Sequence, residues 1–109
     1  MLAISVIIPT LNEASELPET LKRARAIPEV LEIIVVDAGS TDDTRTIARE
    51  HNCIVIESEP SRGKQLRLGA QRASGDVILF LHADTWLPEN AGVVIAETFA
   101  RPLVVAGGF

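Results

Sequence analysis

The chain has 109 residues, of which 47% are hydrophobic and 23% are charged, a size and balance typical of one soluble globular domain. Its formal net charge of −5 lacks the basic excess that nucleic-acid binding needs, so no nucleic-acid partner is expected. Cys53 is the only cysteine, which excludes an intrachain disulfide and fits a reducing cytoplasm.

No apolar run approaches the roughly 20 residues of a membrane helix, and apolar residues fall instead into short segments that alternate with helical patterns. Strands are predicted over residues 3–8, 32–36, 53–56, 77–81 and 103–106. Helices are predicted from an N-cap at Asn12 or Ser15 to about Ala26, after the loop 37–42 to Glu50, over 64–73, and from Pro88 to about Ala100. This alternation indicates an α/β fold, with an open, mostly parallel sheet and helices on both faces.

Ligands of such sheets bind at the carboxyl ends of the strands, so the loops after Ile8, Val36, Ile56 and Leu81 should share one rim. Asp37 directly follows the second strand. Its carboxylate could accept hydrogen bonds from a ribose or a base, or it could begin a turn or cap the next helix, and the residues alone leave both interpretations open.

Other polar residues on this rim also have two interpretations. Asn12 and Glu13 could cap a helix or contact a nucleotide, while Asp42 and Asp43 suit the start of a helix. Arg62 stands in a basic turn before a helix, where side-chain charge and backbone N–H groups suit a diphosphate, although exposed basic residues are usually only solvated.

His82 and Asp84 follow the most apolar strand of the chain. Polar residues at such a position cost desolvation unless they are hydrogen-bonded or face a site. Asp84, together with the oxygens of a diphosphate, would suit a hard cation such as Mg²⁺ or Mn²⁺. His82 is equally typical of a structural, hydrogen-bonded histidine.

Three ordered motifs join these pieces. They are Val6-Ile7-Ile8-Pro9-Thr10-Leu11-Asn12-Glu13, then Ile34-Val35-Val36-Asp37-Ala38-Gly39-Ser40-Thr41-Asp42, then Gly75-Asp76-Val77-Ile78-Leu79-Phe80-Leu81-His82-Ala83-Asp84. The series resembles family 2 glycosyltransferases of the GT-A fold, and it spans essentially the whole of residues 1–109, read as the nucleotide-sugar-binding portion of one domain.

The resemblance implies inverting transfer of a sugar from a nucleoside diphosphate donor to an acceptor whose identity the sequence does not give, with Mg²⁺ or Mn²⁺ bridging the donor phosphates. Matched by motif, Pro9, Asn12 and Glu13 line the nucleotide pocket, Asp37 binds the nucleoside, and Arg62 neighbours the donor. Asp84 would hold the metal. His82 stands where many members have a first aspartate, which leaves one carboxylate and assigns His82 to the donor side.

Two other functions fit the same rim: a non-catalytic nucleotide-binding or assembly module, and a nucleotidyltransferase. The latter usually has a Gly-rich, basic loop after its first strand, and Pro9-Thr10-Leu11-Asn12 is not such a loop. No residue before Phe109 suggests a general base, so the chain is expected to be truncated and to bind donor without transferring sugar. An uncovered edge beside Leu103-Val104-Val105 predicts self-association.

Overall fold

The computed structural model describes residues 3–81 and the backbone of residues 104–106. The elements are β1 (Ile4–Thr10), α1 (Leu17–Arg25), β2 (Val30–Asp37), α2 (Thr44–Glu50), β3 (Ile54–Glu57), α3 (Arg62–Arg72), β4 (Val77–Phe80) and β5 (Val104–Ala106). The five strands form one sheet in the order β3-β2-β1-β4-β5, and every neighbouring pair is parallel. The predicted α/β fold with an open parallel sheet is confirmed.

Helices cover both faces of this sheet, as the sequence predicts. On one face, Leu17, Leu21 and Ala24 of α1 and Ala48 of α2 pack against alternate residues of β1 and β2 such as Val6. On the other face, α3 packs its side chains against the opposite set of strand residues. Burying a Val, Leu or Ile side chain contributes about 1.5–3 kcal/mol, so these two apolar layers hold the sheet between its helices.

α3 approaches the sheet at Gly69. A Cβ atom placed there would lie 2.4 Å from Cγ2 of Ile7 and 3.2 Å from Cγ2 of Val36. Only a residue without a side chain allows this spacing, so Gly69 sets how closely α3 lies above β1 and β2.

The first helix begins later than predicted. Neither Asn12 nor Ser15 caps it, because α1 starts at Leu17 with Pro18 in its first turn and with Glu16 as an N-cap that makes no side-chain capping bond.

β1 runs two residues past Ile8, where the sequence predicted its end. Its even-numbered residues bond to β2 and its odd-numbered residues to β4, as the bonds at Thr10 and Ile7 show. Pro9, which has no N–H, therefore removes no bond to β2.

The outer strands of the described sheet are β3 and β5. The predicted last strand is therefore present at an outer position, while self-association through it stays a prediction. The predicted helix from Pro88 to Ala100 lies outside the described residues. Among the described helices, none combines the length and apolar character needed to cross a bilayer.

Candidate functional site

A cavity lies at the carboxyl ends of β1 and β2, on the rim where the sequence predicts a ligand site. Its volume is about 400 Å³, within the range of about 300–1,000 Å³ for small-molecule sites. It is lined by Pro9, Thr10, Leu11, Glu13, Ala38, Pro60, Ser61, Arg62 and Gln65. Three segments, around residues 9–13, 38 and 60–65, thus build one concave surface, called the rim cavity below.

Asp37 supports the rim cavity without lining it. Its side chain is fully buried, and both carboxylate oxygens accept internal hydrogen bonds. Oδ1 accepts from the hydroxyls of Thr10, at 2.7 Å, and Ser40, while Oδ2 accepts from the backbone N–H groups of Gly39 and Ser40 at 3.1 and 2.8 Å. The positive φ of Gly39, +92°, allows the chain to turn back toward the carboxylate. Asp37 therefore fixes the loop 38–40, and its contact with a nucleoside stays a prediction.

The charge of Asp37 is stabilised within this loop. Burial raises the pKa of Asp37, but hydrogen bonds from Ser40, Thr10 and Gly39 favour the charged form more strongly, and the pKa lies below its ordinary value. Arg45 of α2 adds a nearby cation, with its Nε 3.7 Å from Asp37 Oδ2, and donates from Nη2 to the Ser40 carbonyl over 3.2 Å. A buried carboxylate is costly unless it is paired in this way, so the loop and Asp37 stabilise each other.

The loop after β1 is tied to the loop after β2. Asn12 has a left-handed backbone, with φ 54°, and its N–H donates to Ser40 Oγ over 2.8 Å. Its side-chain oxygen accepts from the N–H of Thr41 over 2.8 Å. The N–H of Glu13 donates to Thr44 Oγ1 over 2.9 Å. Asn12 thus holds the loops after β1 and β2 together behind the rim cavity. The turn that it forms places Glu13 in the lining.

Gln65 joins α3 to the same rim. Its side chain is 5% exposed, and Nε2 donates to the carbonyls of Thr10 and Val36 over 3.2 and 2.9 Å. No role at the site was predicted for Gln65 from the sequence. The sequence spacing could have indicated that Gln65 faces the sheet. Gln65 and Gly69 are the buried residues of α3, and they stand four apart on one helix face. An amide at such a position indicates hydrogen bonding to a strand end.

The residues predicted at the site fall into three groups. Pro9, Glu13 and Arg62 line the rim cavity, whereas Asn12 and Asp37 hold its walls. His82 and Asp84 lie outside the described residues. Of the described residues, no three or more His, Cys, Asp and Glu side chains are grouped to hold a metal ion.

The parallel sheet with helices on both faces and a cavity at the carboxyl ends of its strands defines a Rossmann-like α/β protein. A family model described as glycosyl transferase family 2 matches residues 5–109, and the chain belongs to this family. The predicted resemblance is confirmed.

The chain is similar to curated relatives in mycobacteria. It is 37% identical over 83 residues to an uncharacterized glycosyltransferase of Mycobacterium tuberculosis, with 75% of this chain and 37% of the relative covered. It is 32% identical over 128 aligned positions to glucosyl-3-phosphoglycerate synthase of the same species, with 94% of this chain and 40% of that enzyme covered. The chain thus spans less than half the length of either relative.

Solved structures show the same fold. Glucosyl-3-phosphoglycerate synthase of Mycobacterium tuberculosis, solved with Mn²⁺, UDP and glucosyl-3-phosphoglycerate, superposes with a TM-score of 0.68 at 27% identity, over 78% of this chain and 36% of that one. A mannosyltransferase of Pyrobaculum calidifontis, solved with GDP-Man and Mn²⁺, gives a TM-score of 0.69 at 26% identity, over 80% and 29% of the two chains.

Proposed function

We propose that this chain forms the donor-binding part of a metal-dependent, inverting glycosyltransferase that transfers a sugar from a nucleoside diphosphate to an acceptor. The observation that carries the proposal is the rim cavity itself. It stands at the carboxyl ends of β1 and β2, and its volume of about 400 Å³ suits a nucleoside. Family membership and the nucleotides bound by the similar structures support this assignment.

The lining offers complementary groups to such a donor. Pro9, Leu11 and Pro60 supply apolar surface for a base or ribose. Arg62 lies in the lining at the first turn of α3, where its charge adds to the positive end of the helix dipole. An anionic diphosphate is therefore favoured on this side. Glu13 can accept hydrogen bonds from ribose hydroxyls on the side of the β1 loop.

Mg²⁺ or Mn²⁺ would be held by Asp84 with oxygens of the donor diphosphate, with His82 beside them. The register of β4 supports this placement, since Phe80 pairs with Ile7 of β1 and the carboxyl end of β4 therefore lies at the same edge of the sheet as that of β1. A cation there would neutralise charge on the departing diphosphate. An oxygen ligand such as Asp84 fits a hard cation.

Inversion requires a single displacement at the sugar carbon. The acceptor oxygen forms the new C–O bond on the face opposite the diphosphate, whose C–O bond breaks, and a general base takes the hydroxyl proton. The described residues on the rim serve the donor side or the loops, so the base is assigned to none of them. Donor binding is accordingly the part of the reaction proposed for residues 3–81.

A thermal-shift screen tests the proposal, because a ligand that binds the folded state raises the melting temperature. UDP, GDP, CDP and ADP are compared with and without Mn²⁺, using the unaltered chain, Asp84→Asn and Asp76→Asn. Asp76 is the matched control because it lies at the other end of the sheet, where its Oδ2 accepts from the N–H of Ala3 over 2.9 Å.

We expect at least one nucleoside diphosphate to stabilise the unaltered chain, and more strongly with Mn²⁺. Asp84→Asn should remove the Mn²⁺ enhancement and retain part of the nucleotide effect, while Asp76→Asn should keep both. Absence of any nucleotide effect would overturn the donor-binding function. Mn²⁺ enhancement that survives in Asp84→Asn would place the metal ligand elsewhere.

A further inference from the structure

Gln65 stands where α3 meets the ends of the two central strands. It is 5% exposed, yet it belongs to the lining of the rim cavity. The amide of such a residue can form hydrogen bonds with the protein on one side and with a ligand in the cavity on the other.

The orientation of the amide follows from its partners. Nε2 has two hydrogens, and both are directed to backbone carbonyls, those of Thr10 and Val36. A flipped amide would place its oxygen against these two carbonyl oxygens, so the network fixes which side is which. No buried side-chain nitrogen or oxygen within the described part of the chain lacks a partner. Oε1 of Gln65 has no hydrogen bond among the described residues, so it is not one of the buried atoms. Because Gln65 lines the rim cavity, Oε1 is the acceptor that a ligand can reach there.

Neighbouring polar groups at the strand ends are already used. The carboxylate of Asp37 accepts from Thr10, Gly39 and Ser40, and the Thr10 hydroxyl spends its hydrogen on that carboxylate. Gln65 thus provides a side-chain acceptor on the inner wall, whereas Glu13 stands on the loop that leaves the sheet.

We propose that Gln65 selects the base of the nucleotide donor, with Oε1 accepting a hydrogen bond from the ring N–H of uracil or guanine. This inference rests on the proposed donor-binding function. Uracil and guanine each carry a hydrogen on the ring nitrogen of their pairing edge. Cytosine and adenine have a lone pair at that position, which would face the lone pairs of Oε1. A buried acceptor that meets an acceptor remains unpaired, and such sites discriminate strongly between otherwise similar ligands.

The test measures UDP and CDP binding by calorimetry in the presence of Mn²⁺. Three proteins are compared: the unaltered chain, Gln65→Met and Gln71→Met. Methionine keeps the length of the side chain and removes both the donor and the acceptor. Gln71→Met makes the same exchange at an exposed position on the same helix, away from the cavity lining.

We expect the unaltered chain and Gln71→Met to bind UDP roughly tenfold or more tightly than CDP, the ratio that one lost buried hydrogen bond produces. In Gln65→Met, UDP affinity should fall toward that of CDP, so that the ratio approaches one. An equal loss for both ligands would overturn the proposal, since it would mean that Gln65 only holds the strand ends together. A uracil preference retained in Gln65→Met would overturn it as well.

A second measurement needs no altered protein and covers the case in which Gln65→Met does not fold. UDP methylated at the ring N3 cannot donate there, so the unaltered chain should bind it roughly tenfold or more weakly than UDP. Equal binding of the two would overturn the base-selecting role while leaving donor binding intact. Failure of the unaltered chain to bind UDP, GDP, CDP and ADP alike would instead overturn the proposed function and this inference with it.

Discussion

Two carboxylates near opposite ends of β2 hold turns by the same chemistry, yet only one of them lies beside a cavity. Asp37 binds the loop 38–40 at the carboxyl end of the strand. Toward the amino end, Glu32 Oε2 accepts from the Ser5 hydroxyl over 2.6 Å, and from the N–H and hydroxyl of Ser74 over 2.7 and 3.0 Å. Both carboxylates also connect β2 to a segment distant in sequence, Asp37 through the hydroxyl of Thr10 and Glu32 through Ser5 and Ser74.

The pKa values of both carboxyl groups are lowered by hydrogen bonds that outweigh the effect of burial. Burial raises the pKa of Glu32, but hydrogen bonds from Ser5 and Ser74 and the charge of Arg72 outweigh this effect and hold the pKa below its ordinary value. Asp37 follows the same rule with Ser40, Thr10 and Gly39 as donors. A lowered carboxyl pKa therefore does not separate a functional region of this fold from a structural one.

The space beside each carboxylate does separate them. At the amino end, a Cβ atom on Gly75 would lie 2.7 Å from the carbonyl oxygen of Ala3 and 2.7 Å from Ser5 Oγ, so protein atoms fill the space beside Gly75. At the carboxyl end, Ala38 of the loop held by Asp37 borders the rim cavity of about 400 Å³. The first network closes a turn, and the second supports a wall of a site.

The largest expected effect comes from Asp37→Ala, which leaves the hydroxyls of Thr10 and Ser40 and two backbone N–H groups without their acceptor. We expect the free energy of unfolding to fall by about 3 kcal/mol or more, measured by urea denaturation. Nucleoside diphosphate affinity should also fall, by about 1–3 kcal/mol, because the cavity wall relaxes. Unchanged affinity in the folded variant would show that Asp37 does not contribute to nucleotide binding.

Gly75→Ala tests the closed end of the sheet. The added Cβ meets the backbone of Ala3 and Ser5, so we expect a loss of about 2–3 kcal/mol in the free energy of unfolding. Gly63→Ala is the matched control because a Cβ there meets nothing within 4 Å, and alanine should be neutral or stabilise the helix by up to about 1 kcal/mol. Similar losses in the two variants would contradict the close packing at Gly75.

Glu32→Gln should have a smaller effect than Asp37→Ala. Glutamine can keep an oxygen in the place of Oε2, which accepts all three hydrogen bonds, but it lacks the negative charge that strengthens them, so we expect a loss of about 1 kcal/mol in the free energy of unfolding. By calorimetry, Glu32→Gln should bind a nucleoside diphosphate with the same affinity as the unaltered chain, since no residue of this network lines the rim cavity. A change in affinity that matched the effect of Asp37→Ala would show that the two ends of β2 are coupled.

The sequence predicted the fold well because its evidence is local. Apolar segments placed all five strands within two residues of their ends, and their alternation with helices gave the parallel sheet. The start of α1 was wrong, because Asn12 is a good N-cap by type but hydrogen-bonds to Thr41 of another loop. The site followed the same division. Pro9, Glu13 and Arg62, which the motifs predict at the site, line the rim cavity, and their contact with a donor stays a prediction. Gln65 was not predicted there, since its position depends on where α3 crosses β1 and β2.

The smallest expected effect is on the pH dependence of stability. A carboxyl whose pKa is lower in the folded than in the unfolded state stabilises the fold above its unfolded pKa of about 4, and this contribution disappears as the pH falls through the folded value. Asp37 and Glu32 both act in this direction. The free energy of unfolding should therefore fall as the pH drops below about 4.

Glu32→Gln removes one of these two titrations and leaves the other. Its free energy of unfolding should decline less steeply below about pH 4 than that of the unaltered chain, while the two should run parallel near neutral pH. Glu59→Gln provides a control, because Glu59 is an exposed surface partner of Lys64 and such pairs contribute little. The free energy of unfolding of all three proteins is measured by urea denaturation at a series of pH values. Equal slopes for Glu32→Gln and the unaltered chain would mean that the Ser5 and Ser74 hydrogen bonds do not favour the ionised form of Glu32, and the likeness between the two ends of β2 would then be geometric alone.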